Sequence, residues 1–395
     1  MNVKFSTKFV AASAVAVMAL SLAGCSGGSM DDSSSSGAKA SGDSITIGTV
    51  TTNSGTAAAY GEAEVKGFEL AVSEINAKGG INGKKVKLES MDDKGDATEA
   101  SNAYNKLAGD NNVLAVAGPT ISATTAAVAP LADQSKLVTI APAATSDSIE
   151  TGNYLFRTCF KDSYQGEVAA RFAAENLKVK KVAVLYGTGD PYSSGVGEAF
   201  AKAAEKLGLE VVDKESSSSA DDTEYSAQLQ KIQASGAELL YAPYYYSVAG
   251  PYIIPQARSV GFEGYVMGPD GYDGLKLTGD KSQYNKTYYT THYSADDNTN
   301  TKVQDFIKSY KSKNNAEPNT FAALGYDTIY MIKQAIEKAG KNATREDVRN
   351  AVASMTFDGV TGKFTMDKSG SPTKSVIVLE MKDGKPVYNT TVQPK

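Results

Sequence analysis

The chain has 395 residues, 41% of them hydrophobic and 22% charged, a mix that fills large cores and exceeds one ordinary domain. Lys and Arg total 40 against 45 Asp and Glu, with no long basic run, so the electrostatic footprint of a nucleic-acid binder is missing. One histidine and two cysteines leave too few ligands for zinc, and neither a metal nor a cofactor is expected.

At the amino terminus Lys4 and Lys8 precede an apolar run from Phe9 to Leu22. That is the build of an export signal over residues 1–24, too short for a comfortable membrane span. Leu22-Ala23-Gly24-Cys25 resembles the bacterial lipobox, which implies cleavage before Cys25 and lipid attachment to it. Residues 25–44, rich in Ser, Gly and Asp, then read as a lipidated flexible tether that holds the folded part outside the cell membrane. After processing Cys159 is the remaining thiol, so no intramolecular disulfide is available, and its apolar surroundings fit a small buried side chain.

From Ile45 the chain alternates strand and helix. Ile45 to Val50 reads as a strand, and Val65, Phe68, Val72 and Ile75 recur at helical spacing until Gly79-Gly80 stops the helix. A strand ending at Asp92-Asp93 and a helix over 97–108 follow. Two apolar runs, Val113 to Ala117 and Leu137 to Ala141, then end in small and hydroxylic residues: Gly118-Pro119-Thr120-Ile121-Ser122 and Pro142-Ala143-Ala144-Thr145. Small residues let a backbone approach a ligand, and hydroxyls with unpaired N–H groups at a helix start offer donors to an anion without a fixed cation. Ser122 and Thr145 fit either this cradle for a carboxylate or plain helix caps.

A second series begins near residue 163: helix 164–176, strand 181–186, helix 193–207, strand 209–213, helix 223–235, strand 238–242, helix 248–260 and strand 264–268. Tyr288 to Tyr293 reads as extended, helices follow at 299–313, 320–339 and 344–354, and a β-hairpin closes the chain. The alternation implies parallel βαβ units, whose ligands sit beyond the carboxyl ends of the strands. Three late helices do not extend the second sheet, and the simplest packing returns them to the first lobe. The expected division is 45–161 with 292–361 as the first lobe and 162–291 with 362–395 as the second.

Catalytic motifs fail. A hydrolytic triad would have to use His292, which has strand-like neighbours. Ser371-Pro372-Thr373-Lys374 fits a bare SxxK but is expected in a hairpin turn without companion motifs. Gly187 to Tyr192 lacks the third glycine of a nucleotide fingerprint, and Asp92, Asp93 and Asp96 lack a calcium-loop frame. The chain is not expected to be an enzyme. Met267-Gly268-Pro269-Asp270-Gly271 places an acid at a strand end, where it is either a turn residue or the partner of an ammonium group. Tyr241, Tyr244, Tyr245 and Tyr246 end the preceding strand, as packing or as cover for a small ligand.

Together these residues resemble the leucine-isoleucine-valine-binding family, type I periplasmic binding proteins that feed ABC transporters. The likeness is carried by Ser54-Gly55 with Tyr60-Gly61, by Gly67 to Ala71, by Glu74 to Gly83, and by Asp92-Asp93. Pro142 to Thr145, Phe156-Arg157-Thr158, Asp162 with Gln165-Gly166, and Gly268 to Gly271 continue it. The resemblance implies an α/β fold of two Rossmann-like lobes, joined by three crossing hinge segments and closing on an amino acid, branched-chain or related. It implies that Ser122, Thr145 and Ala143 hold the α-carboxylate and Asp270 the α-ammonium. Tyr60 and Phe321 would line the first-lobe side, with Tyr245 or Tyr246 and Asp162 facing them. Permease and ATPase subunits would be the partners of a receptor expected to be a monomer. Two departures bear on specificity: Asp270 stands where glutamate is frequent, and the wording of Gly118 to Ile121 differs from the common form. The other readings are a same-fold receptor for an amide, an aromatic acid or a short peptide, and a sensory lipoprotein without a transport role.

Overall fold

The computed structural model describes residues 44–149, 152–296 and 300–394. The expected signal segment, Cys25 and the tether lie outside them, except for Ser44, which begins the first strand rather than ending a leash. In chain order the first series is β1 (Ser44–Thr51), α1 (Ala58–Ala77), β2 (Lys85–Asp92), α2 (Ala97–Gly109), β3 (Val113–Ala117), α3 (Ser122–Ser135), β4 (Val138–Ala141) and β5 (Leu155–Arg157). The strands form a parallel sheet of order β2-β1-β3-β4-β5. Every residue of β3 and β4 is buried, as strands covered on both faces require.

The second series is α4 (Asp162–Phe172), β6 (Lys181–Gly187), α5 (Pro191–Lys206), β7 (Glu210–Ser217), α6 (Ser226–Ala234), β8 (Leu239–Tyr241), α7 (Tyr246–Val248), α8 (Ile254–Ser259), β9 (Tyr265–Gly268) and β10 (Thr287–Thr291). Its parallel strands run β10-β9-β8-β6-β7, the same winding as the first sheet, and the closing hairpin adds β13 (Val376–Lys382) and β14 (Lys385–Val392) antiparallel at the β10 edge. Two expected continuous helices differ in detail. α4 runs on into a π-helical turn at Ala173–Leu177, and the expected helix 248–260 is split into α7, a π-helical turn at Ala249–Ile253, and α8. Gly250 sits in that second turn, where an added Cβ would come within 2.4 Å of the Lys276 carbonyl, so the segment there follows a close backbone contact rather than helical periodicity.

Between β10 and β13 stand α9 (Thr301–Asn314), α10 (Thr320–Ala339), α11 (Arg345–Ala353) and a hairpin absent from the sequence reading, β11 (Thr356–Gly359) with β12 (Gly362–Thr365). α10 packs along α1, and α11 contacts β3 and β4. The α1–α10 contact is close because glycines face it. A Cβ at Gly67 would fall 2.2 Å from the Ala322 carbonyl, and one at Gly325 would fall 2.7 Å from that of Glu64. Side-chain caps fix several helix starts: Asp96 on α2, Asp190 ahead of Pro191 on α5, Asn319 on α10, and a Thr344–Asp347 capping box on α11. The chain thus leaves the first sheet after β5, returns after β10, and crosses again before β13, which gives the two-lobed type I arrangement with three crossings. Ser371 does lie in a tight turn, closed by an antiparallel bridge between Met366 and Pro372, and Lys374 follows it in this last crossing; both are buried. The Lys374 ammonium donates to Thr361 Oγ1 at 2.9 Å.

Candidate functional site

Both sheets point the carboxyl ends of their strands at one cleft. A narrow cavity there is lined by Tyr60, Thr120, Ile121, Ser122, Ala143, Tyr192, Tyr245, Asp270, Gly271 and Phe321. Of the residues singled out from sequence, Tyr60, Ser122, Ala143, Tyr245, Asp270 and Phe321 meet in this lining. Thr145, Asp162 and Tyr246 stand just outside it.

The first-lobe wall is built from the turns after β3 and β4. Thr120 Oγ1 accepts the Thr52 N–H at 3.1 Å and donates to buried Glu64 at 2.6 Å. Burial holds the Glu64 carboxyl well above its ordinary range, partly offset by the Thr120 bond. Ser122 does not cap α3; Ile121 occupies the cap position without a side-chain bond. Instead Ser122 Oγ accepts the Ser146 N–H at 3.1 Å, which ties the two turns together and leaves its own proton to donate. The Thr145 hydroxyl is fully buried, makes no hydrogen bond of normal geometry among the described residues, and has a loose polar contact with Asp162. Arg157, quoted in the sequence but given no role there, gathers the carbonyls of Ala144, Thr145 and Ser146 at 3.2, 2.7 and 3.1 Å. With these oxygens drawn toward Arg157, the shape of the cradle is fixed from behind.

The second-lobe wall centres on Asp270, just past β9. Its Oδ1 accepts the Tyr192 hydroxyl at 2.9 Å and the Gln165 amide at 3.2 Å, and its Oδ2 lies 3.2 Å from His292 Nε2. Burial depresses His292 to about 4, against the opposing pull of the Asp270 bond, so the ring is neutral at pH 7 and brings no positive charge to Asp270. Among the described residues no Lys or Arg forms an ion pair with Asp270. Asp162, at the start of α4, is fully buried and shares the Gln165 amide at 3.0 Å; burial first, then the Asp270 charge, push its carboxyl well up.

Aromatic rings close the sides. Phe321 stacks on Tyr60 at 3.9 Å between centroids, Tyr245 stacks on Tyr192 at 5.3 Å with parallel planes, and Tyr245 meets Tyr60 edge-on. Tyr246 points its hydroxyl to the Ala59 N–H at 3.3 Å, outside the cavity. Tyr192, Gln165 and His292 were missed as site residues by sequence reasoning. Asp190-Pro191 marks a helix start at a strand end and could have drawn attention to Tyr192; Gln165 was quoted only for the family likeness and His292 weighed only for a triad, and neither carries a local sign of contact with Asp270. Among the described residues no group of three or more His, Cys, Asp or Glu is arranged to hold a metal.

The comparisons agree with this geometry. A family model described as periplasmic binding protein matches residues 44–386. The chain is 31% identical to a Leu/Ile/Val-binding protein homolog of Brucella melitensis, over 86% of this chain and 92% of that one. It is 30% identical to a leucine-, isoleucine-, valine-, threonine- and alanine-binding protein of Pseudomonas aeruginosa, over 83% and 87%. The crystal structure of a branched-chain amino acid transporter substrate-binding protein of Streptococcus pneumoniae, in complex with isoleucine, superposes with a TM-score of 0.82 at 32% identity, covering 89% of this chain and all of that one. A leucine-binding protein of Thermotoga maritima superposes with the same TM-score at 30% identity, covering 89% and 99%. With the paired five-strand windings, the cleft at their carboxyl ends and these likenesses in hand, the chain belongs to the periplasmic binding protein family, in its leucine-isoleucine-valine-binding branch.

Proposed function

We propose that the protein is the extracytoplasmic receptor of an ABC importer, capturing a free α-amino acid, branched-chain or related, between its lobes. The observation that carries this reading is the pairing, across one cavity, of neutral hydroxyl and backbone donors at Ser122 and Ala143 with the acid Asp270, which has no Lys or Arg in an ion pair with it among the described residues. An α-carboxylate would be met by Ser122, Ala143 and the hydroxyl of Thr145, and an α-ammonium by Asp270. Tyr60, Tyr192, Tyr245 and Phe321 would cover the side chain, while Asp162 and Tyr246 would act from just behind the lining.

The lobes would close by hinge motion, and permease and ATPase subunits would take the closed form as their cue. Lipid on Cys25 would hold the receptor, as a monomer, at the bacterial cell membrane; Cys25→Ser should move it from the membrane fraction to the soluble one. No chemistry is required of the site. Mass spectrometry of the compound released on denaturing freshly purified protein tests the reading: it calls for an unmodified molecule with both an amine and a carboxylate, and recovery of an acid without the amine would overturn it.

A further inference from the structure

His292 is the one histidine of the chain and stands immediately after β10. Its side chain has no solvent exposure, and its ring stacks on Phe160 with centroids 3.6 Å apart and planes 24° from parallel. One ring nitrogen, Nε2, meets Asp270 Oδ2 at 3.2 Å, while the other, Nδ1, is buried with no hydrogen-bond partner among the described residues. A doubly protonated ring would need an acceptor at each nitrogen, and only one is offered. The surroundings therefore select the neutral tautomer with its proton on Nε2. The titratable groups facing the ring are Asp270 from the turn after β9 and Lys374 from the crossing before β13. Lys374 opposes a second positive charge here. Asp273, Cys159 and Asp162 face Asp270 from the same turn, from the first crossing and from α4.

We propose that His292 is a positioning residue for recognition of the ligand's ammonium group. A neutral N–H to Oδ2, set against the Tyr192 and Gln165 donors on Oδ1, fixes the carboxylate plane of Asp270 without cancelling its charge. A Lys or Arg in the same place would hold the carboxylate equally well and neutralise it. Acid acts in the same way: as the pH falls toward the titration of His292, the ring becomes a cation beside Asp270 and competes with the ligand. This inference rests on the amino-acid reading above and adds the group that keeps the acidic subsite both rigid and charged.

The test uses the mature protein with histidine labelled by ¹³C and ¹⁵N, which gives one ring signal. The expected spectrum at pH 7 is a neutral ring protonated at Nε2, titrating only near 4. Calorimetry supplies the second arm, with an amino acid the unaltered protein binds and with the same acid lacking its amine. His292→Leu should weaken the amino acid by about tenfold or more, the loss of one hydrogen bond to a charged group, and leave the deaminated acid unchanged. His292→Gln, which restores an N–H that cannot become charged, should return affinity to within about threefold and remove the extra loss seen in the unaltered protein below pH 5. A ring that is charged at pH 6, or protonated at Nδ1, overturns the assignment even if both variants fail to fold. So does equal weakening of both ligands by His292→Leu. A protein that takes up no amino acid at all sinks the reading underneath, whereas amino-acid binding with a charged ring sinks only the role of His292.

Discussion

The phenolic oxygen of Tyr60, on α1 of the first lobe, accepts the backbone N–H of Tyr246, on α7 of the second lobe, at 3.0 Å. The same hydroxyl donates to the Gly271 carbonyl, and Ser247 Oγ reaches the Thr56 carbonyl at 2.7 Å close by. These bonds join groups of opposite lobes, and under the proposed hinge motion they would break as the cleft opens. Tyr60→Phe keeps the ring on Phe321 and removes the hydroxyl that bridges the lobes. The variant should shift toward the open form and bind ligand about tenfold more weakly, the worth of one or two hydrogen bonds. Small-angle scattering of the ligand-free variant should give a larger radius of gyration than the unaltered protein.

Asp270→Asn preserves the shape of the subsite and removes its charge. Affinity for an amino acid should fall by on the order of 3 kcal/mol, because an ammonium group buried in the closed cleft loses its counter-charge. Calorimetry reads this directly, and a change of less than about threefold would exclude Asp270 as the ammonium partner.

Thr145 and Ser122 should part company in a stability assay. The Thr145 hydroxyl is buried without a well-formed bond of its own, so Thr145→Val should leave the thermal midpoint level or slightly raised while weakening ligand by about 1.5 kcal/mol. Ser122→Ala strips the Ser146 N–H of its acceptor and should lower both affinity and thermal midpoint.

A pH effect on stability is expected at Asp273, whose carboxylate accepts the Thr320 N–H at 2.8 Å at the start of α10. Burial, the largest influence, pushes this carboxyl up to about 6. The folded protein thus holds the proton more tightly than the unfolded chain. The contribution is fully present below the unfolded value near 4 and is lost as the pH rises through about 6. His292 has the opposite sense, since its folded value of about 4 lies below its unfolded one. Asp273→Asn keeps an acceptor for Thr320 and removes the titration. Denaturation curves from pH 4 to 7 should show the unaltered protein losing on the order of 3 kcal/mol relative to the variant across this window.

Much of the architecture was legible because it is local. The runs Val113 to Ala117 and Leu137 to Ala141 announce strands buried on both faces, and their small, hydroxylic ends announce turns at which ligands gather. Asp270 was visible for the same reason. What escaped depends on tertiary proximity. Gln165 reaches Asp270 from 105 residues away, and His292 matters only because the turn after β9 folds back on it. Tyr192 was passed over inside a failed nucleotide motif, although its place at the first turn of α5 aims it into the cleft. The β11–β12 hairpin was hidden because Gly359 and Gly362, which make it, also break the apolar alternation of Phe357 and Phe364. The turn at Ser371 was legible, but the burial of Ser371 and Lys374 was not, because it depends on where the chain crosses between lobes.

Calorimetry of ligand-stripped protein against a panel of free α-amino acids at neutral pH addresses the central claim most directly. The two-ended cleft predicts binding heat for at least one of them, with an affinity about a hundredfold above that for the same acid lacking its amine. No heat with any amino acid, or equal affinity for the deaminated compound, would contradict it.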